Sequence, residues 1–218
     1  MNPAALFDPL SAAIVVGGTL LATVLRCGPA DCRVALAALG QIGARHFDAE
    51  GTKAELAVQV QEIQQDGLLR AHPHHFGDRE FDEATDALIG RRSVAALLAA
   101  HETHKARRGV VSTRAAATWA QAAELAPVFG LAGTLISLSQ LPSGGGGGGS
   151  YAGAIGMAVQ TTLYGLLLAN LLLAPLSRVI DRSAAKEERA RQRIVDWLAG
   201  QVAPAMPHPR RKAQGEAA

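Results

Sequence analysis

Hydroxyl side chains lie inside two of the most apolar stretches of the chain. Thr134 belongs to an apolar run at 125–141, and Thr161 and Thr162 belong to another at 151–176. A hydroxyl exchanges hydrogen bonds with water or a carboxylate without carrying a charge, which is the chemistry that a proton pathway needs. The same groups can also join two helices in an apolar environment. These three residues are therefore predicted either to line an internal ion pathway or only to hold helices together.

Glycine and proline accompany the hydroxyl residues in both runs. Small residues let two helix backbones approach closely, and the glycines predicted to do so are Gly130, Gly133 and Gly165. Gly130, Gly133 and Thr134 share one helix face because they stand at positions i, i+3 and i+4. Pro127 and Pro175 each remove a backbone hydrogen bond and are predicted to bend their helices.

No set of side chains predicts an enzyme, a metal centre or a bound cofactor. His72, His74 and His75 fall in a stretch typical of a turn, and His101 and His104 are expected to be solvated helix residues. Neither group supplies a full set of metal ligands in a defined geometry. The sequence contains no phosphate-binding, dinucleotide-binding or nucleophile-elbow motif. A net charge of +2 and an aromatic content of 4% argue against a nucleic-acid partner.

The distribution of charge indicates which segments must position these residues. The chain has 21 Lys and Arg residues, and all of them lie in 26–114 or in 178–212. None occurs in 1–25 or in 115–177, and the latter stretch carries a single acid, Glu124. Amphipathic helices of a soluble protein carry charges on the face opposite the apolar stripe. So long a gap in charge therefore favours a membrane protein.

Three apolar runs lie in these gaps, at 10–25, 125–141 and 151–176. A membrane-spanning helix needs about 20 residues. The third run meets this length, the second does so when counted from Trp119, and the first is marginal. A cleaved signal peptide would begin with basic residues, but 1–10 contains none. The prediction is an all-α polytopic membrane protein with three transmembrane helices and a helical cytoplasmic domain.

The positive-inside rule gives the expected orientation. Segments that contain Lys and Arg should face the cytoplasm, which places the N-terminus outside and the C-terminus inside. The predicted organisation is an outer N-terminus with the first span (1–25), a cytoplasmic helical domain (26–118), a transmembrane hairpin with a glycine-rich outer loop (119–176), and a cytoplasmic helix with a disordered basic tail (177–218). The charged side chains of the helix at 177–199 are expected to be solvated.

Three segments together resemble the MotA/TolQ/ExbB proton-channel family. They are IVVGGTLLAT, LAPVFGLAGTLISL and AVQTTLYGLLLANLLLAPL, and the resemblance covers nearly all of residues 8–185. Its specific feature is the pairing of AP-x-FG-x-x-GT with TTLYG-x-LLAN-x-x-x-x-P. In these motifs the chain is most similar to flagellar stator A subunits.

The resemblance implies a bacterial inner-membrane protein that forms a homopentamer around two copies of a single-span partner. That partner, like MotB, ExbD or TolR, would carry a membrane Asp, and flow of H⁺ or Na⁺ would turn one ring relative to the other without a further cofactor. Thr134 and Thr162 match the family positions that face the partner's acid, and Pro127 and Pro175 match the prolines linked to torque. The residues that match the close-packed family segment are Ala126, Gly130 and Gly133.

The chain departs from flagellar stators in two respects. Those proteins have a further span before the GGT helix, whereas this chain begins at that helix. Their rotor-contact pattern R-x-x-G-x-x-x-x-E reads QQDGLLRAH here, with Gln64 and His72 at the Arg and Glu positions. The prediction is therefore a channel-ring subunit of an ion-driven motor that works on an envelope process. The alternatives are a flagellar stator A subunit with one helix fewer and a non-conducting membrane scaffold.

Overall fold

The computed structural model describes residues 8–44, 47–66, 77–140 and 148–205. These ranges are helical apart from short connections, so the prediction of an all-α fold is confirmed. In chain order, the helices are α1 (Pro9–Cys27), α2 (Pro29–Ala44), α3 (Ala49–Asp66), α4 (Arg79–Arg91), α5 (Val94–Ser139), α6 (Gly148–Leu167) and α7 (Ala174–Val202). A π-helical segment, Leu168–Leu173, joins α6 to α7, and a 3₁₀ turn, Ala203–Ala205, follows α7.

Some predicted features lie outside the described residues. They are the histidine-rich turn with His72, His74 and His75, most of the glycine-rich loop at 143–150, and the basic tail after residue 205. The loop is described only from Gly148, where α6 begins.

The first helix has a defined start and end. The Asp8 side chain accepts hydrogen bonds from the backbone N–H groups of Leu10 and Ser11, and Pro9 occupies the first turn, where no N–H is needed. At the other end Gly28 has a φ of +85°, which glycine adopts without a steric penalty. The chain turns at Gly28 and continues as α2.

Three helical segments among the described residues are long and apolar enough to cross a membrane. They are α1, α5 and the continuous helix from Tyr151 to Val202, which includes the π segment. Their aliphatic side chains are widely exposed, for example 63% at Leu21, 68% at Leu135 and 70% at Leu171. Exposed apolar surface on this scale is unfavourable in water and suits a lipid environment. The three predicted membrane spans therefore correspond to these three helices.

The chain folds as two compact units. The first comprises residues 1–46 and 109–185, and the second comprises 47–108 and 186–218. In the first unit, Ala122 and Ala126 of α5 pack against Ala169 and Leu173. These small side chains bring helices close together, as membrane helices require in the absence of a hydrophobic driving force.

The helix of the third span does not stop at Pro175. Immediately before this proline, the Ala174 N–H donates to the carbonyl of Ala169, five residues back, which closes a wide π turn. Buried residues recur along this helix every four positions, at Thr161, Gly165, Ala169, Leu173 and Ser177. A regular α-helix repeats every 3.6 residues, so the wide turn keeps the later members of this row facing the same neighbours.

The second unit has an aliphatic core. Helices α3 and α4, the start of α5 and the end of α7 supply it, with Leu56, Val60, Ile63, Phe81, Leu88, Leu97, Ile194, Val195, Leu198 and Val202. These residues recur at helical spacing, which is the pattern expected of amphipathic helices that share one core.

Two arginines of the second unit each bridge carboxylates on other helices. Arg108 contacts Glu80 and Glu188, and its Nη2 lies 2.8 Å from Glu188 Oε2. Arg191 contacts Glu80 and Asp78, with 2.9 Å from Nη1 to Asp78 Oδ2. The arginine side chains are only 21% and 11% exposed. The prediction of solvated charges at 177–199 is therefore wrong for Glu188 and Arg191, because the sequence did not reveal their partners on other helices.

His101 and His104 are buried, so the prediction of solvated histidines is also wrong. His104 Nε2 lies 3.0 Å from Glu83 Oε2, and His101 Nε2 lies 3.2 Å from Gln192 Oε1. A hydrogen bond from Arg79 is the main cause that lowers the pKa of Glu83, and His104 adds to it. These histidines face polar groups on neighbouring helices instead of water.

Candidate functional site

A close approach of two helix backbones forms the base of the candidate site. A Cβ atom added at Gly165 of α6 would lie 2.7 Å from the Ala126 carbonyl oxygen and 3.0 Å from Gly130 Cα. A Cβ atom at Gly130 would in turn lie 3.0 Å from the Thr161 carbonyl oxygen. The obstacles are backbone atoms, which cannot rotate away. Glycine at both positions therefore allows α5 and α6 to touch, as in other small-residue contacts between membrane helices.

Thr161 belongs to this helix contact. Its side chain is fully buried, and a Cβ atom at Gly133 would lie 2.7 Å from Thr161 Cγ2. The Thr161 hydroxyl donates to the Ala158 carbonyl at 2.9 Å. The methyl group of Thr161 therefore fills the space that Gly133 leaves open, and the residue packs helices together.

Thr134 and Thr162 lie instead on one open cavity of about 460 Å³ at the surface of the first unit. The structure brings these two hydroxyl residues together from α5 and α6, and both are partly exposed. The remaining wall is apolar and consists of Leu138, Ile155, Ala158, Val159, Leu163 and Leu166. Two hydroxyls in an apolar wall give the cavity a local polar spot.

The two cavity hydroxyls have already committed their hydrogen atoms. Thr134 Oγ1 donates to the Leu131 carbonyl at 2.6 Å, and Thr162 Oγ1 donates to the Ala158 carbonyl at 3.1 Å. A carbonyl oxygen can only accept, so the direction of both bonds is defined. The oxygen lone pairs remain available to the cavity. This site therefore suits a group that donates a hydrogen bond, such as a protonated carboxylic acid or water, better than an ionised carboxylate.

The two prolines lie at separate places in the first unit. Pro127 is inside α5, directly after Ala126, whose carbonyl oxygen meets Gly165. Pro175 is the second residue of α7 and directly follows Ala174, whose N–H closes the π turn. Each proline thus adjoins a feature of helix geometry, one a close contact and the other a wide turn.

Sequence reasoning missed two contacts made by α1. The Asp8 backbone N–H donates to the Tyr164 hydroxyl at 3.1 Å, which ties the start of α1 to α6. A Cβ atom at Gly18 would overlap the ring of Phe129, so the ring of α5 lies directly on the α1 backbone. The GGT motif and the FG pair are visible in the sequence, but nothing in either one indicates that they meet.

Metal binding has no support among the described residues. Within residues 8–44, 47–66, 77–140 and 148–205, no group of three or more His, Cys, Asp or Glu side chains could hold a metal ion.

Three apolar helices, a tight glycine contact between two of them and a hydroxyl-bearing cavity are typical of a polytopic membrane protein. The chain belongs to the MotA/TolQ/ExbB proton channel family, whose model matches residues 73–193. This is a family of channels and not of enzymes.

Individual relatives share part of the chain. Motility protein A of Cereibacter sphaeroides is 27% identical over 143 residues, which are 62% of this chain and 53% of that protein. Motility protein A of Borreliella burgdorferi is 33% identical over 81 residues, or 37% of this chain and 30% of the relative. The uncharacterized protein YtxD of Bacillus subtilis is 28% identical over 55% of this chain and 40% of its own length. The matches thus span about half or less of these relatives.

Two solved structures share the fold. A chain of the flagellar MotAB stator complex from Bacillus subtilis superposes with a TM-score of 0.82 over 93% of this chain and 81% of that one, at 18% identity. A chain of C. jejuni MotAB gives a TM-score of 0.78 over 95% of this chain and 82% of that one, at 17% identity.

Proposed function

We propose that the chain is a channel-ring subunit of a proton-driven membrane motor that couples ion flow to mechanical work on an envelope process. Membership of a proton channel family supports ion conduction, and the folds it shares belong to stator complexes. The assembly would be an oligomer, a pentamer by family resemblance, around a single-span partner that carries a membrane Asp. The N-terminus would lie outside and the C-terminus in the cytoplasm.

The cavity that contains Thr134 and Thr162 is the observation that carries this proposal. Its free hydroxyl lone pairs accept a hydrogen bond from a protonated acid but offer no donor to a carboxylate without breaking a bond to the backbone. The partner's Asp would therefore rest here in its neutral form, which also costs less to hold in an apolar environment. The cavity would therefore hold the neutral form of the partner's Asp at a lower energy than the ionised form. An ion-driven motion requires such a difference in energy between the two protonation states.

The same observation favours H⁺ over Na⁺. A sodium ion needs several oxygen ligands to replace its water shell, and the cavity wall offers two hydroxyl oxygens among apolar side chains. A proton carried on a carboxyl group needs no such shell.

Substitution at Thr162 tests the proposal. The chain would be co-expressed with its single-span partner and reconstituted in liposomes, and proton flux would be followed with a pH-sensitive dye. Thr162→Val keeps the shape and removes the acceptor, so we expect flux to fall roughly tenfold, the factor that corresponds to one lost hydrogen bond. Thr23→Val makes the same change in α1, where the hydroxyl is buried against the Thr19 carbonyl, and should leave flux unchanged.

A second candidate function is a flagellar stator A subunit, favoured by the relatives that are named motility protein A. Loss of swimming in a deletion strain would support it, whereas normal swimming combined with measurable proton flux would support the envelope process. A complex that assembles but conducts no protons would make the chain a membrane scaffold.

A further inference from the structure

Four arginines of the first unit are exposed close to the ends of the candidate spans. Arg26 lies in the last turn of α1, Arg33 lies in the second turn of α2, and Arg178 and Arg182 follow Pro175 at the start of α7. In the part of the chain that the structure describes, no carboxylate lies within ion-pair distance of any of these four. We call them the arginine rim.

Several arginines elsewhere in the chain are paired with carboxylates. Arg108 and Arg191 each contact at least two carboxylates, and Arg114 pairs with Asp31. The acid nearest in sequence to the rim is Asp181, which is exposed between Arg178 and Arg182 and makes no ion pair among the described residues. Even with Asp181 counted against it, the rim keeps an excess of positive charge.

Exposed aliphatic side chains accompany the rim. Leu25 precedes Arg26 and is 77% exposed, Leu36 is one helical turn after Arg33 and is 61% exposed, and Val179 follows Arg178 and is 43% exposed. An arginine beside an exposed aliphatic group is the arrangement of the membrane interface, where the aliphatic part contacts acyl chains and the guanidinium reaches the headgroups.

We propose that the arginine rim binds anionic phospholipid, with the guanidinium groups on the lipid phosphate and the neighbouring aliphatic side chains on the acyl chains. Guanidinium groups bind phosphate through two parallel hydrogen bonds, a geometry that suits a phosphodiester. Continuity with the apolar runs favours a lipid over a soluble anion, because the rim arginines directly follow the apolar runs at 10–25 and 151–176. The proposal goes beyond ion conduction and applies whether or not the chain conducts.

Native mass spectrometry of the full chain in a zwitterionic detergent tests the proposal. The chain would be titrated with dioleoyl-phosphatidylglycerol and, separately, with dioleoyl-phosphatidylcholine, which has the same acyl chains without the net charge. The wild type should bind phosphatidylglycerol more tightly. The double variant Arg33→Gln/Arg178→Gln should lose roughly 25-fold of this preference, since each charge near a headgroup contributes about a fivefold factor.

A matched double variant, Arg91→Gln/Arg193→Gln, removes two exposed arginines of the second unit and should keep the preference. Thermal unfolding in phosphatidylcholine checks that both variants fold. Equal binding of the two lipids by the wild type would overturn the proposal, and this is the outcome expected if a second copy of the chain covers the rim. An equal loss of preference in the two double variants would overturn it too.

Discussion

Adjacent threonines on α6 have different surroundings because successive residues of a helix point about 100° apart. Thr161 is fully buried against Gly133, whereas Thr162 opens onto the cavity with Thr134. The spacing of Gly130, Gly133 and Thr134 predicts one shared helix face, and on this face the cavity and the glycine contact occupy different parts. Which threonine faces the cavity depends on the rotation of α6 against α5, and a single sequence contains no measure of that rotation.

Gly165 offers a sharp test of the helix contact. Gly165→Ala would push a methyl group against the Ala126 carbonyl and Gly130 Cα, so α5 and α6 must separate. We expect a loss of about 1–3 kcal/mol in the free energy of unfolding, the usual cost of overpacking. Unfolding of the purified chain in detergent, followed by circular dichroism, measures this loss.

Gly156→Ala on the same helix is the control. Nothing lies within 4 Å of a Cβ atom at Gly156, so this change should be neutral or add up to about 1 kcal/mol through helix propensity. Similar losses for both variants would show that the contact at Gly165 is not the cause.

The π segment is the element that departs most from sequence expectation. The apolar run at 151–176 and Pro175 predicted a bent span, but not a turn with a hydrogen bond from Ala174 back to Ala169. Its signal in the sequence is the four-residue repeat of Thr161, Gly165 and Ala169, continued at Leu173. That repeat becomes meaningful only when burial shows which residues face the same neighbour. The ends of α1, in contrast, have local causes: the Asp8 carboxylate caps its start and Gly28 adopts a positive φ at its end.

Deletion of Leu171 tests the role of the wide turn. A single π turn holds one extra residue, so removal of this exposed leucine should leave a regular α-helix with both flanks in place. We expect folded protein with a melting temperature within about 5 °C of the wild type, a difference of about 1–2 kcal/mol. Size-exclusion chromatography and thermal unfolding measure the outcome.

Deletion of Leu163 in the regular part of α6 is the matched change. It would turn Gly165 and Ala169 away from α5 by about 100°, and we expect no folded protein. Equal tolerance of the two deletions would mean that the four-residue row does not control packing.

At the scale of the whole molecule, the distribution of charge was the most reliable guide. The stretch without Lys or Arg at 115–177 predicted apolar helices, and the structure has them. The positions of Lys and Arg along the sequence gave no information about which residues form ion pairs. An ion pair such as Arg108 with Glu188 joins residues 80 positions apart. The two compact units therefore depend on different forces, small-residue packing in the first and an aliphatic core with bridging arginines in the second.

Substitution of Arg108 should affect one unit selectively. Arg108→Gln leaves Glu80 and Glu188 without their shared cation, and we expect a loss of about 2–3 kcal/mol, below the value for a fully buried pair because these side chains are partly exposed. Each unit contains one of the two tryptophans, Trp119 or Trp197. Denaturant unfolding in single-tryptophan variants should show the loss at Trp197 and little change at Trp119.

Arg107→Gln removes the neighbouring arginine, which is exposed, and should change stability by less than about 0.5 kcal/mol. An equal effect of the two substitutions would indicate a general effect of charge and would contradict the bridging role of Arg108.

The bond from the Asp8 backbone to the Tyr164 hydroxyl also joins the start of α1 to the last turn of α6. Tyr164 stands 16 residues after Gly148, where α6 begins, a rise of about 24 Å along the axis. The first turns of α6 lie away from this bond, and nothing among the described residues lies within 4 Å of a Cβ atom built at Gly153 or Gly156. The start of α6 is therefore the part of this unit that leaves room for acyl chains or another polypeptide to pack directly against glycine.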